Sequence, residues 1–225
     1  MITRGVPNQN NITINWSYQF VKRLLDILFS ILILIPLCIV VAIVAILIRI
    51  DSPGPIFYRQ RRVGLNGTEF NMYKFRSMHT NTDDTLHREA IAKFMNGQKL
   101  NAGAVAHTAY KKIDDPRITR VGRFIRKTSI DELPQFFNVL CGEMTLVGPR
   151  PPLSYEVEQY NSYAWLRLAG KPGLTGPWQV YGRSRVSFER MVEMDIDYLQ
   201  RQSFWTDLKL IMLTVPVILL GRGGA

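Results

Sequence analysis

An α+β fold, mainly helical with short strands, is what the residue pattern of this chain predicts, with an N-terminal segment that enters a membrane. Three features carry that expectation. The stretch Ile27 to Ile48 holds no charged residue, while Lys22 and Arg23 precede it and Arg49, Arg59, Arg61 and Arg62 follow. Two short strand-like runs, Ile56–Arg62 and Glu69–Met78, flank Gly64-Leu65-Asn66-Gly67, a hairpin-loop signal. Downstream of Arg117, apolar residues recur at helical spacing in several stretches, as with Ile118, Val121 and Ile125. The chain has 225 residues, enough for one core of ordinary size. Mean hydropathy is −0.01, so outside the apolar run the chain must be a polar, soluble-type domain.

The elements follow in order. Residues 1–15 are polar and Asn-rich, a flexible N-terminus. Residues 16–50 form the membrane segment. A straight helix over Ile27–Ile48 would be about 33 Å long at roughly 1.5 Å per residue, enough for a bilayer core of about 30 Å. Cytoplasmic flanks collect Lys and Arg, however, and both flanks here are basic. Near the middle, Pro36 removes a backbone hydrogen bond. The expectation is a monotopic membrane protein with a re-entrant helix broken at Pro36. A spanning helix with a tolerated proline kink is the alternative.

Residues 51–225 are expected to form a cytoplasmic domain, opened by the hard stop Asp51-Ser52-Pro53-Gly54-Pro55. After the two strands, residues 79–112 read as a polar surface insertion with weak helical periodicity around Leu86–Phe94. Helices are expected over 117–127, 131–140, 154–168, 187–200 and 204–220, with turn-rich segments at 142–152 and 172–183. The last apolar stretch, Leu210–Leu220, is too short to span a bilayer and should bury against the domain or lie in the interface.

A net charge of +10 suits an anionic membrane surface or phosphorylated small molecules. No nucleic-acid-binding motif is present. Cys38 and Cys141 show neither metal spacing nor a disulfide framework, which fits a reducing compartment. The apolar run is too long for a cleavable signal, and no small-residue cleavage site follows it. His79, His87 and His107 fall in the insertion without ligand spacing, and there is no Gly-x-Ser-x-Gly, Walker or dinucleotide-binding signature.

Several residues could carry chemistry, each with a plainer reading beside it. Ser129-Ile130-Asp131-Glu132 fits a capping box, and early-turn carboxylates complement a helix dipole. Pro134 is easier to place if Asp131 itself caps the helix. The same helix start could gather phosphate, with Asp131 attacking phosphorus and Glu132 helping to hold Mg²⁺. In Gly148-Pro149-Arg150-Pro151-Pro152 the prolines could aim Arg150 at phosphate, or merely stiffen a surface turn. Strand alternation would put Lys74 and Arg76 on one face about 6.6 Å apart, suited to a diphosphate or simply to solvent. Arg117, Arg120, Arg123 and Arg126 form a stripe that could hold lipid headgroups or substrate phosphate, or face solvent.

Taken in order, the motifs are specific. They run Tyr73-Lys74-Phe75-Arg76-Ser77-Met78, then the block from Arg126 through Asp131-Glu132-Leu133-Pro134 to Val139. Gly142 to Pro151 follows, then Lys171-Pro172-Gly173-Leu174-Thr175-Gly176-Pro177-Trp178 through Arg183, and Asp195-Ile196-Asp197-Tyr198. This order closely resembles the bacterial sugar transferase family, the monotopic phosphoglycosyl transferases, over roughly residues 18–222. The resemblance implies transfer of a sugar-1-phosphate from a UDP-sugar to undecaprenyl phosphate, with release of UMP, at the cytoplasmic leaflet of the bacterial inner membrane. It implies Asp131 as the nucleophile and Glu132 as support for the metal or the acceptor's proton, the two together holding Mg²⁺. It also implies that Pro149, Arg150 and Pro151 contact the nucleotide, and that Lys74 and Arg126 grip phosphate. Family members use a membrane helix broken at a proline, often after serine, whereas this chain has Ile35-Pro36. Such a reading needs no nucleic acid and leaves a homo-oligomer open. A membrane-bound phosphohydrolase and a non-catalytic basic membrane adaptor are the competing functions.

Overall fold

The computed structural model describes residues 16–80, 85–97, 115–182 and 186–219. The expectation for residues 1–15, and those for 81–84 and 98–112, lie outside the described residues.

Helix α1 runs Trp16–Asp51 and contains Pro36. Where the break is expected the helix continues through Pro36, because a proline removes one donor without having to end the ladder. One stripe of α1 is buried, at Lys22, Asp26, Ser30, Leu37, Val44 and Ile48. Much of the remaining surface is apolar and exposed, including Leu32, Ile35, Ile39 and Ile46.

Strands β1 (Phe57–Val63) and β2 (Glu69–Phe75) pair antiparallel, with Phe57 opposite Phe75 and Val63 opposite Glu69. Asn66 and Gly67 take positive φ in the connecting turn, as the Gly-x-Asn-Gly signal predicts. Helix α2 (Thr85–Met95) corrects the surface-insertion reading, since Ile91, Phe94 and Met95 are buried in the main core with Val157, Phe188, Met191 and Val192.

Helix α3 (Arg120–Lys127) is shorter than expected. Thr119 caps it by accepting from the Gly122 N–H, and the Asp51 carboxylate accepts from the Val121 N–H. The expected helix from Asp131 is a 3₁₀ turn at Ile130–Glu132, then α4 (Gln135–Cys141) after Pro134. Two three-residue strands that the sequence did not announce, β3 (Thr145–Val147) and β4 (Gly173–Thr175), pair in parallel. Between them lie α5 (Ser154–Val157) and α6 (Ser162–Trp165), where one continuous helix was expected. Helices α7 (Phe188–Arg201) and α8 (Phe204–Leu219) close the domain. Leu210 of α8 is buried against Val139, Leu146 and Leu199, while Trp205, Met212 and Val215 are exposed.

Arginines tie the ends of helices to the domain. Arg23 donates to the carbonyls of Val139 and Leu140 at the end of α4. Arg76 donates to the carbonyls of Ile48, Ser52 and Pro53 at the end of α1. Of these oxygens, Ile48 O also accepts from the Ser52 N–H and Val139 O from the Gly142 N–H, and a cation at a helix C-terminus complements the helix dipole. Lys22 is buried against Asp207, Tyr198 and the Val147 carbonyl, so this flanking cation is an internal ion pair.

Candidate active site

The centre of the site is the turn between α3 and α4. Ser129 sits there in the left-handed region at φ 57°, a conformation that costs a non-glycine residue of order 1 kcal/mol and recurs at functional sites. Its side chain makes no capping bond. Glu132 does not reach back as a capping box requires; its carboxylate takes the Lys74 ammonium at 3.4 Å. Asp131 lies inside the turn rather than at a helix N-cap, which is Pro134. The helix-cap positions here are Ser129 and Pro134, so Asp131 stands at neither of them.

Asp131 is buried, with 3% of its surface exposed, and Glu132 is half-buried. Arg126, at the end of α3, faces Asp131, Asp115 and Glu132 electrostatically. Burial, the largest influence, leaves its guanidinium's proton affinity lowered; the three acids offset this only in part and Arg117 adds to it, though a guanidinium stays charged regardless. Arg117 clasps Asp115 with Nε at 2.9 Å and Nη2 at 2.7 Å, and these bonds hold the Asp115 carboxyl below the usual carboxylate range. Lys74 and Arg126 thus offset charge on the pair Asp131–Glu132, while Asp115 attracts Arg126 and Arg117 repels it. Of the arginine stripe, Arg117 and Arg126 turn inward, while Arg120 and Arg123 are exposed.

Lys74, Arg126, Asp131 and Glu132 are therefore brought together. Arg76 is not a free phosphate ligand: it is buried and bonded to the end of α1, a correction to its expected substrate role. The alternation that put it on the face of Lys74 could not show what lies opposite that face.

Pro149, Arg150 and Pro151 follow β3. Pro149 and Pro151 are buried and Arg150 is half-buried. Arg150 lies beside Glu156 at 3.8 Å and over the Trp178 ring at 5.9 Å. The segment interlocks with β4, for Gly148 N–H donates to Thr175 O and Gly173 N–H to Pro149 O, each at 2.8 Å. A Cβ on Gly173 would fall 2.1 Å from Gly148 N, so glycine is required there. Sequence reasoning missed Asp115 and the acids behind Arg150, Glu156 and Asp195. The Asp115-Pro116-Arg117 spacing could have hinted at the first; Asp195 stands in the Asp195-Ile196-Asp197-Tyr198 motif, which gave it no role, and Glu156 shows nothing before the chain is folded.

A divalent ion fits this donor set in part. Mg²⁺ is held by one or two carboxylates plus substrate phosphates, and Asp131 and Glu132 supply two hard oxygen ligands. Among the described residues there is no group of three acids, histidines or cysteines, so phosphates would have to complete the shell.

The description "bacterial sugar transferase" matches residues 17–221. The chain is 46% identical over 92% of its length to galactosyl transferase CpsE of Streptococcus agalactiae, of which it spans 44%. It is 43% identical over 90% of its length to the exopolysaccharide production protein ExoY of Sinorhizobium fredii, spanning 87% of that protein. It is 43% identical over 96% of its length to the undecaprenyl-phosphate galactose phosphotransferase of Salmonella typhimurium, again spanning 44%. The chain thus covers less than half the length of two of these relatives.

Proposed function

This chain belongs to the bacterial sugar transferase family, and from that premise we propose that it moves a sugar-1-phosphate from a UDP-sugar to undecaprenyl phosphate through a covalent intermediate on Asp131, releasing UMP and starting a surface polysaccharide. The observation that carries this is the buried Asp131 beside Glu132, Lys74 and Arg126 on a strained turn that caps no helix. An Asp131 oxygen attacks the phosphorus that bears the sugar. The Asp–O–P bond forms as the bridging P–O bond breaks, and UMP leaves with its oxygen. The acceptor's phosphate oxygen then attacks the same phosphorus and displaces Asp131 as a carboxylate. Lys74 and Arg126 stabilise charge on the transferring phosphoryl group. Glu132 takes the acceptor's proton or shares the metal. Bound Mg²⁺, held by Asp131 and Glu132, would neutralise diphosphate charge. Pro149, Arg150 and Pro151 contact the nucleotide. Galactose appears in the names of two of the relatives described above, and we propose a neutral hexose, galactose first.

The donor is soluble and the acceptor is in the bilayer, so α1 is assigned to the cytoplasmic leaflet of the inner membrane as a re-entrant helix bent at Pro36. Its length and apolar surface support membrane insertion. Its ends support the bend. A straight helix would separate Arg23 from Ile48 by about 38 Å at roughly 1.5 Å per residue. Yet the anchors of these residues are neighbours. Arg23 bonds α4, whose Asn138 accepts from Tyr73 N–H in β2. Phe75, about 7 Å further along that strand, clusters with Ile48.

The test is UMP release from a panel of UDP-sugars, with and without undecaprenyl phosphate. Steady turnover that requires the lipid is expected. Release of free sugar phosphate without lipid would make the chain a phosphohydrolase, and no release with any donor would leave it an adaptor.

A further inference from the structure

The Arg150 side chain is held by two residues for which the transferase reading has no role, Glu156 and Trp178, and its backbone by others. Four consecutive carbonyls are each taken by a different donor. Pro149 O accepts from Gly173 N–H, Arg150 O from Arg167 Nη2 at 3.4 Å, Pro151 O from Arg62 Nη1 at 2.9 Å and Pro152 O from Val63 N–H at 3.0 Å. Arg167 is itself fixed by Asp195 and by the Tyr160 hydroxyl, all three buried. The Cα of Arg150 therefore cannot drift.

Its side chain is bounded on an edge and on a face. Glu156 is fully buried, and its Oε1 accepts from the Leu153 N–H at 3.3 Å while lying 3.8 Å from Arg150 Nη1. That separation is too long for a hydrogen bond but close enough for strong attraction in a dry interior. A carboxylate with no surface exposure needs a cation, and the Arg150 guanidinium is placed to serve. Trp178 presents its ring to the guanidinium carbon, the geometry of a cation–π contact. A flexible arginine has several rotatable bonds to order on binding an anion. Restraint on an edge and a face removes most of that cost before the ligand arrives.

We infer that Glu156 and Trp178 are positioning residues that pre-aim the Arg150 guanidinium at the donor's diphosphate; this rests on the transferase reading above. They touch no substrate and act through Arg150.

The experiment is a double-mutant cycle in full-length protein, following UMP release against UDP-sugar concentration. Glu156→Gln keeps the shape and the acceptor for Leu153 but removes the charge. It should raise the KM for UDP-sugar about tenfold, through loss of one close ion-pair attraction, with kcat within about twofold and the melting temperature nearly unchanged. Arg150→Ala should raise KM at least as far. In the Arg150→Ala background, Glu156→Gln should add nothing, because its only route to the substrate is gone. If Glu156→Gln yields no folded protein, Trp178→Leu is taken through the same cycle. An unchanged KM in the single variant, or an effect that multiplies with that of Arg150→Ala, overturns the inference while leaving the transferase reading intact. An unchanged KM in Arg150→Ala itself overturns both the nucleotide role of Arg150 and the inference built on it.

Discussion

Asp131 occupies a turn that no capping rule explains. It follows Ser129 in the left-handed region and precedes the Pro134 that starts α4. Asp131→Asn keeps the side chain's volume and should leave the fold intact, yet lower turnover on the order of a thousandfold or more in a UMP-release assay. Asp115 is a different kind of residue, a charged prop. Arg117 holds its carboxyl low, so its stabilising charge is fully present above the ordinary aspartate value of about 4 and is lost as pH falls through the lower folded value. The melting-temperature gap between the wild type and Asp115→Asn should be widest near neutral pH and should close below about pH 4. These roles were unequally legible. Asp131 and Glu132 stood out because adjacent carboxylates before Leu-Pro lie in a specific motif. Arg76 was misread, since alternation along a strand assigns a face and not the carbonyls that a long side chain finds there. Glu156 gave no signal, and Asp195 stood only within the Asp195-Ile196-Asp197-Tyr198 motif with no role attached, because burial of an acid is set by helices far away in sequence.

At the level of elements, α1 is fastened twice. Lys22 and Arg23 fix its start, and Arg76 with Asp51 fixes its end. Arg76→Met should destabilise the protein by about 3 kcal/mol, since several charge-assisted bonds to helix-end carbonyls disappear together. It should leave the KM for UDP-sugar near that of wild type. Thermal unfolding in detergent micelles and a donor titration check the two halves of that statement, and a KM raised as much as by Lys74→Ala would return Arg76 to the substrate site. Long elements with strong periodicity, α1, α7, α8 and the β1–β2 hairpin, were readable from apolar spacing and turn residues. Strands β3 and β4 were not, because three residues carry no period and their parallel pairing joins segments distant along the chain. Helix α2 was seen as helical but placed outside, since its polar surroundings hid the Ile91, Phe94 and Met95 face.

For the whole molecule, the arrangement sets a cationic, acid-paired turn on a domain tied to both ends of one apolar helix. Exposed Phe124 and Phe137 flank that turn on α3 and α4, and exposed Trp205 lies on α8, three aromatic side chains suited to a bilayer interface. With Cys38 and Cys141 replaced, single cysteines at Asn10 and Arg61 should label from the same side of sealed membrane vesicles. Labelling from opposite sides would make α1 a spanning helix. The covalent step is tested most directly by mass. Enzyme incubated with UDP-sugar and Mg²⁺ but no lipid acceptor, then quenched and digested, should yield the peptide containing Asp131 heavier by one phosphosugar, and undecaprenyl phosphate should discharge it. A peptide of unmodified mass from enzyme that still transfers sugar phosphate to the lipid would contradict the account.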